Sequence, residues 1–307
     1  MAVQETRPTS APNPMYMLAF DHRQVLRDLY PGASTQQLED AKLVVLDALE
    51  IVARSVARKD SLAFLVDEEY GAAAARAARE RGFYVALPIE ASRTPILRLQ
   101  YPDDYRERFA RLDPQCVKAL VFHNPADDAE RTAAQLGLLR EIGDFAREQG
   151  RDYLLEVLIT PTAEQLERSG GAAGFRRDLF PELLVESIRQ MQEAGVEPDV
   201  WKVEGLETVE STAAVGAQAT AGGRDHVRCI VLGSGESQQT VTRWLANAAA
   251  VPTFSGLAIG RTVWREPLGG LLEGSLTRDA ALKAMAASFS GLIAAFGREP
   301  AAVDAEV

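Results

Sequence analysis

Residues 118–157 read "KALVFHNPADDAERTAAQLGLLREIGDFAREQGRDYLLEV". Two short apolar runs, KALVF (118–122) and YLLEV (153–157), have the length and residue types of buried strands. The segment between them has a helical pattern of apolar residues and ends at Gly150, a residue type that commonly follows a helix. A strand, a helix and a second strand in this order indicate a βαβ unit, in which the two strands are parallel.

The same alternation extends along the chain in both directions. Further strand candidates are YMLAF (16–20), LAFLV (62–66), FYVAL (83–87), VWKV (200–203), CIVL (229–232) and GLAIG (256–260). Eight strand–helix units in 307 residues favour a closed barrel over an open doubly wound sheet. The sequence therefore predicts an α/β protein with a single (β/α)8 TIM barrel over residues 15–297. A disordered N-terminal tail (1–14) and a C-terminal tail (298–307) are expected to flank it.

Composition and charge argue against several classes of function. A net charge of −11 and a pI near 5.0 argue against a general surface for nucleic acid or anionic membranes. The only two cysteines, Cys116 and Cys229, lie far apart and indicate neither a disulfide framework nor a zinc site. The polar, proline-rich start lacks the pattern of a signal peptide, and no stretch has the pattern of a membrane span. We therefore expect a cytoplasmic protein.

Ionisable residues fall where the predicted strands end, which is where the chemistry of such barrels takes place. In chain order they are Asp21, His22, Arg23, Asp67, Glu90, Lys118, Glu156 and Lys202. Lys118 and Lys202 lie within their strands, so both could point into the barrel. Two neighbouring cations lower each other's pKa, burial lowers it further, and a neutral amine can attack a carbonyl carbon.

Other interpretations of the two lysines stay open at this point. Lys202 could form a buried ion pair with a glutamate, or it could reach water from the end of its strand. Lys118 could face solvent on the amino-terminal side of its strand. The Gly-rich SGGAAG (169–174) is interpreted as a mobile loop, either a lid or an insertion without function.

An anion site is indicated after the last two strands, where barrels often bind phosphate. GSGES (233–237) is predicted to open a helix with the small residues Gly233, Ser234 and Gly235, whose backbone N–H groups could point at an anion. Gly260 and Arg261 follow the eighth strand, and an arginine can bind phosphate with two parallel hydrogen bonds. No metal is expected, because the three histidines lack the spacing of a zinc site.

Seven stretches, in order along nearly the whole chain, carry a resemblance to a known family. They are LAFDHR (18–23), LVDEEYG (65–71), LPIEAS (87–92), VKALVFHNPADD (117–128), LLEV (154–157), PDVWKVEGL (198–206) and GLAIGRTVWREPL (256–268). These stretches resemble the class I, Schiff-base aldolases related to tagatose-1,6-bisphosphate aldolase and sulfofructose-phosphate aldolase. The resemblance is closer to the aldolase-like domain fused to 5-dehydro-2-deoxygluconokinase in bacterial inositol catabolism.

The resemblance implies a role for several residues. Lys202 matches the Schiff-base lysine and Glu156 the carboxylate that moves protons during C–C cleavage. Lys118 matches the second lysine of the active site, and Asp21 matches an acid that contacts substrate hydroxyls. Arg261 with the Gly-Ser-Gly turn matches the phosphate clamp. This chain departs from the pattern at His22, where the tagatose and sulfofructose enzymes tend to have glutamine, and in its serine-rich GSGES turn.

The resemblance also implies a reaction: metal-independent cleavage of a phosphorylated keto sugar or keto sugar acid, with no cofactor. The first candidate substrate is 2-deoxy-5-keto-gluconate 6-phosphate, and dihydroxyacetone phosphate is the expected product. Tagatose 1,6-bisphosphate and sulfofructose phosphate come next. Apart from the sugar we expect no nucleic-acid or membrane partner, and a homo-oligomer. The alternatives are a non-catalytic barrel that binds a sugar phosphate, and a barrel isomerase or decarboxylase without a covalent step.

Overall fold

The computed structural model describes residues 9–55 and 58–297. Eight parallel strands close into one barrel in which each strand pairs with its neighbours in sequence and β8 pairs with β1. The prediction of a single (β/α)8 barrel is therefore confirmed. The strands are β1 (Met15–Phe20), β2 (Leu62–Val66), β3 (Tyr84–Pro88), β4 (Cys116–Phe122), β5 (Asp152–Leu158), β6 (Val200–Glu204), β7 (Arg228–Leu232) and β8 (Phe254–Ile259).

Helices follow the strands and cover the outside of the barrel. Several of them begin at side-chain caps that the sequence supplies. Ser34 and Gln37 form a capping box at the start of the second helix, and Asp128 caps the fifth. The helices are α1 (Gln24–Leu29), α2 (Thr35–Ala53), α3 (Ala72–Glu80), α4 (Tyr105–Leu112), α5 (Ala129–Glu148), α6 (Ala163–Arg168), α7 (Ala172–Gly174), α8 (Phe180–Glu193), α9 (Val209–Thr220), α10 (Gln238–Ala249), α11 (Arg261–Leu272) and α12 (Arg278–Phe296).

The barrel interior is filled by alternate residues of each strand, as the two-residue period of a strand requires. On β1 the inward residues are Met15, Met17 and Ala19, which pack with Leu154 of β5 and Val200 of β6. The residues between them face the helices and belong to the larger outer core. This alternation decides which side chains can reach the upper end of the barrel.

A polar layer closes the amino-terminal end of the barrel. The Asp152 carboxylate is fully buried and accepts hydrogen bonds from Thr9 Oγ1 at 2.9 Å and from the Tyr84 hydroxyl at 2.8 Å. Arg228 donates to the carbonyls of residues 11 and 12. Residues 9–14 of the predicted tail therefore lie against the base of the barrel, whereas 1–8 and 298–307 fall outside the described residues.

Helix α12 is long and apolar enough to cross a membrane by length and composition alone. It lies instead against α2, α10 and α11 as the last helix of the outer ring. Its inward side chains, among them Met285, Phe289 and Ile293, are buried in the outer core. Packing of this helix against the barrel accounts for its apolar composition.

Candidate active site

Five ionisable side chains meet inside the carboxyl-terminal end of the barrel. Asp21, Glu90 and Glu156 come from or just after the odd-numbered strands β1, β3 and β5, and Lys118 and Lys202 come from β4 and β6. Each lies at an even spacing from the inward residues of its strand, so the alternation along the strand directs it into the barrel. From β3 to β6, carboxylates and ammonium groups therefore alternate around one end of the barrel.

Lys118 is the centre of this cluster. Its Nζ lies 2.8 Å from Asp21 Oδ2, 2.7 Å from Glu90 Oε1 and 3.1 Å from Glu156 Oε2, and the residue is 1% exposed. The interpretation of Lys118 as a solvent-facing lysine is therefore wrong. The expectation that its pKa would fall is also wrong. Burial lowers the pKa of Lys118, but the three carboxylates outweigh burial and raise it well above its ordinary value.

Lys202 is joined to the same cluster through Glu156. The two residues are register partners on β6 and β5, and Lys202 Nζ lies 2.8 Å from Glu156 Oε2. Lys202 is only 5% exposed, so it does not reach water from its strand end. Burial raises the pKa of Glu156, but Lys202 and Lys118 outweigh burial and lower it overall. Glu156 is thus a buried carboxylate that contacts both lysines.

The segment after β1 contributes Asp21, His22 and Arg23. Burial raises the pKa of Asp21, yet Lys118, Lys202 and His22 together lower it far below its ordinary value. Burial lowers the pKa of His22 to about 3, so its imidazole is neutral at physiological pH. The imidazole packs edge-on against Trp264. The Arg23 guanidinium donates to the backbone carbonyl of Glu90 at 2.7 Å, which ties this segment to β3.

Asp67 alone among the predicted acids is not brought to the cluster. Its carboxylate lies 2.5 Å from Nζ of Lys42 on α2, and both side chains are fully buried. Lys42 also donates to the backbone carbonyl of His22 at 2.9 Å and to that of Phe20. The pair therefore lies next to the cluster but outside it. The hydrogen bonds of Lys42 hold the backbone on either side of Asp21. Lys42 is a residue that the sequence analysis did not single out.

Removing one partner of this buried pair should destabilise the fold strongly. We expect Asp67→Ala to lower the free energy of unfolding by about 3–5 kcal/mol, because it leaves the Lys42 ammonium buried and unpaired. The double variant Lys42→Met/Asp67→Leu should regain most of that loss, since it removes both charges. Denaturant unfolding measures both values. Asp60→Ala, at a carboxylate 72% exposed, is the control and should stay within about 0.5 kcal/mol. A loss below about 1 kcal/mol in Asp67→Ala would contradict this prediction.

The loops after β7 and β8 form the predicted anion turn. Ser234 and Gly235 both have left-handed backbone, with φ of 51° and 80°. Arg261 Nη2 donates to the Ser234 carbonyl at 2.9 Å. A Cβ on Gly235 would lie 2.8 Å from Cζ of Arg261, so the glycine is what lets the guanidinium lie against the turn. Gly233, Ser234, Gly235 and Gly260 are therefore brought to Arg261.

One detail of this turn differs from the prediction. Helix α10 begins at Gln238 with Ser237 as its cap, so the Gly-Ser-Gly turn precedes the helix instead of forming its first turn. The reason is the two consecutive left-handed residues, which cannot continue into a right-handed helix. Any backbone N–H groups that the turn offers to an anion therefore belong to a loop next to Arg261, and not to the first turn of a helix.

A second arginine, which the sequence analysis missed, lies near the anion turn. Arg176 follows the SGGAAG segment in a short π-helical stretch (Phe175–Leu179). It donates to the Gly205 carbonyl at 2.6 Å and lies 3.5 Å from the Glu204 carboxylate. That carboxylate in turn accepts a hydrogen bond from the Ser234 hydroxyl. The loops after β5, β6 and β7 are thereby connected, and the nearby Gly-rich segment was the only signal in the sequence.

Metal-binding geometry does not occur among the described residues, where no group of three or more His, Cys, Asp and Glu side chains is arranged to hold an ion. The three carboxylates that do converge surround the ammonium of Lys118, which takes the position that a cation would need. The cluster therefore places lysine amines among carboxyl groups.

Comparison with known proteins gives the chain a family. A family model described as "Uncharacterized protein conserved in bacteria (DUF2090)" matches residues 3–299. The chain belongs to this family. No curated protein sequence matches it.

Solved structures add a likeness of fold. Cgl0159 from Corynebacterium glutamicum is 18% identical with a TM-score of 0.55, covering 91% of this chain and 86% of that one. Fructose-bisphosphate aldolase from Slackia heliotrinireducens is 14% identical with a TM-score of 0.55, covering 92% and 86%. The YdjI aldolase from Escherichia coli K12 is 14% identical with a TM-score of 0.54, covering 95% and 94%. At these identities the likeness establishes the barrel fold alone.

Proposed function

We propose that this protein is a class I aldolase that cleaves a phosphorylated keto sugar or keto sugar acid through an imine on Lys202, without a metal or cofactor. The observation that carries the proposal is the position of Lys202. Its amine is buried at the carboxyl-terminal end of the barrel, 2.8 Å from a carboxylate that also contacts a second lysine. Barrel enzymes place their reacting groups at this end.

The chemistry uses the contacts in the cluster. Attack on a keto carbon requires the Lys202 amine without its extra proton, and Glu156 is the adjacent carboxylate that can accept it. The imine then draws electrons from the neighbouring C–C bond. Glu156 takes the proton from the hydroxyl whose carbon becomes the aldehyde, and the enamine left on Lys202 is reprotonated and hydrolysed. Lys118 and Asp21 are proposed to contact substrate hydroxyls.

The substrate class rests on the family resemblance and on the anion turn. We propose 2-deoxy-5-keto-gluconate 6-phosphate as the first candidate, with tagatose 1,6-bisphosphate and sulfofructose phosphate after it. The phosphate group is proposed to lie between Arg261 and the Gly-Ser-Gly turn, on the side of the site where His22 packs against Trp264. Arg23 and Glu90 are proposed to contact the rest of the substrate. Two of the solved structures with this fold bear the name aldolase, which supports the reaction class by analogy of fold only.

Borohydride trapping tests the proposal against its rivals. Incubation with dihydroxyacetone phosphate and borohydride should reduce the imine and add a stable mass to the chain. A barrel that only binds sugar phosphates would gain no mass, and an isomerase or decarboxylase using Glu156 and Lys202 as acid and base would gain none either. The same trapping is repeated with a panel of phosphorylated keto sugars. If no adduct forms with dihydroxyacetone phosphate or with any sugar of the panel, the aldolase proposal is overturned.

Arg261 tests the phosphate part of the proposal. Arg261→Lys keeps the charge but loses the planar fork of donors, and Arg261→Ala loses both. A charge-assisted hydrogen bond contributes roughly 1.5–3 kcal/mol, so we expect KM for a phosphorylated substrate to rise by about one to two orders of magnitude in Arg261→Ala and less in Arg261→Lys. Turnover of the corresponding non-phosphorylated keto sugar should hardly change. Steady-state kinetics on the matched pair of substrates measures the difference.

Arg265 provides a matched control for this experiment. It lies one turn further along α11 and is exposed. Arg265→Ala should leave KM for both substrates unchanged. Equal losses on phosphorylated and plain substrates in Arg261→Ala would show that Arg261 is structural, through its hydrogen bond to Ser234, and would remove the support for a phosphate site.

A further inference from the structure

Glu90 differs from the other two acids of the cluster in its contacts. Its Oε1 accepts a hydrogen bond from Lys118 at 2.7 Å, but its Oε2 is buried without a hydrogen-bond partner in the described part of the chain. The residue is only 6% exposed. A carboxylate oxygen with no donor is expensive to bury, whereas a protonated carboxyl group presents a hydroxyl that can donate. Its free oxygen is thus a site where a proton could be held.

The charges of the cluster lead to the same conclusion. Two ammonium groups, of Lys118 and Lys202, contact three carboxylates, of Asp21, Glu90 and Glu156. Asp21 has a direct contact to Lys118, and Glu156 has one to each lysine. Asp21 and Glu90 therefore each contact Lys118 alone. Among these five side chains one proton neutralises the excess of negative charge, and Glu90 is the acid whose second oxygen is buried without a partner among the described residues.

We propose that Glu90 is the general acid of the imine-forming step, carrying a proton on Oε2 that it gives to the keto oxygen of the substrate. The proposal rests on the aldolase function proposed for Lys202. The groups that face Glu90 are Lys118 on β4, Asp21 after β1 and the Arg23 guanidinium. Glu90 also raises the pKa of Tyr153, whose side chain lies in the outer core. Burial raises the pKa of Glu90, and Lys118 and Arg23 offset this only in part.

The step balances in atoms and charge. The step begins once the extra proton of Lys202 has passed through Glu156 to solvent, which leaves Lys202 a neutral amine and Glu156 a carboxylate. The amine then forms a C–N bond to the keto carbon, and the C–O bond breaks. The leaving oxygen departs as water with two protons, one from the attacking nitrogen by way of Glu156 and one from Glu90. The nitrogen is left as an iminium with one proton and a positive charge, and Glu90 is left as a carboxylate. In hydrolysis the carboxylate of Glu90 takes a proton back from the attacking water.

The test is the rate of imine formation in Glu90→Gln, whose amide keeps the shape of the carboxyl group but has no proton to transfer. Protein is mixed with dihydroxyacetone phosphate, quenched with borohydride at increasing times, and the adduct on the Lys202 peptide is measured. We expect the adduct to form about 10²–10⁴-fold more slowly than in the wild type. Glu148→Gln, at a carboxylate 59% exposed, is the control and should react at the wild-type rate.

The pH profile separates this role from a structural one. The wild-type rate should fall as pH rises through the pKa of Glu90, because the proton donor is then lost, and Glu90→Gln should lack this limb. Glu90→Asp, which keeps an acid on a shorter chain, should recover part of the rate. A Glu90→Gln protein that forms the adduct at the wild-type rate, or a wild-type profile without the limb, overturns this proposal and leaves the aldolase proposal standing. Wild-type protein that forms no adduct overturns both.

Discussion

Lys202→Ala should abolish both the trapped adduct and aldol cleavage. Wild-type protein treated with dihydroxyacetone phosphate and borohydride is expected to carry the added mass on the peptide that contains Lys202. Removing a covalent nucleophile typically lowers kcat by roughly 10⁴–10⁶-fold, and we expect a loss of this size. Peptide mapping by mass spectrometry, with a coupled assay for dihydroxyacetone phosphate, measures both results.

The small number of lysines in the chain makes the labelled residue easy to identify. There are five lysines, Lys42, Lys59, Lys118, Lys202 and Lys283, and peptide mapping can distinguish them. Lys283→Ala, at a side chain 73% exposed, is the matched control and should keep full activity and the full adduct. An adduct on Lys118 instead would show that Lys118 is the nucleophile. Lys118 contacts three carboxylates, and one of them, Glu156, also contacts Lys202. An adduct on Lys283 would show that the labelling is non-specific.

The fold could be predicted from the sequence because its signal is repeated eight times. All eight predicted strands occur, and LAFLV (62–66) has the bounds of β2. The other strand ends either coincide or shift by one or two residues, as at β4, which begins at Cys116 and not at Lys118. Strand ends are set by pairing with neighbours that are distant in sequence, and local patterns do not contain that information.

The sequence predicts which residues form the cluster, but it does not predict how they shift one another's pKa values. Parallel strands bring their carboxyl ends together, so the acids and lysines found there are expected to be neighbours, and all of them except Asp67 are. The pKa of Lys118 is predicted in the wrong direction because the prediction considers the second lysine and burial but not the three carboxylates. Its three carboxylate contacts depend on side-chain directions that the order of residues does not give. Lys42 and Arg176 were missed for a similar reason, since both reach the site from outside the strands.

Glu156→Gln should separate imine formation from bond cleavage. The amide keeps the size of the side chain but cannot take the proton from the substrate hydroxyl, so kcat for cleavage should fall about 10²–10⁴-fold. Imine formation should also slow, because Glu156 carries the Lys202 protons, but the imine with the intact substrate should accumulate on long incubation because its cleavage is blocked. Borohydride is expected to trap the whole sugar on Lys202 in Glu156→Gln, whereas the wild type should also yield the three-carbon adduct. Intact protein mass distinguishes the two products.

The pH dependence of cleavage supplies an independent check on Glu156. A base must be deprotonated to act, and the lysines lower the pKa of Glu156 below its ordinary value of 4.5 despite its burial. Glu156 should therefore stay ionised and active at every pH above that value, and its protonation should reduce kcat only in stronger acid. Cleavage at the wild-type rate in Glu156→Gln would show that another group moves the proton. Asp21, the other carboxylate with a lowered pKa in contact with Lys118, would then be the residue to substitute next.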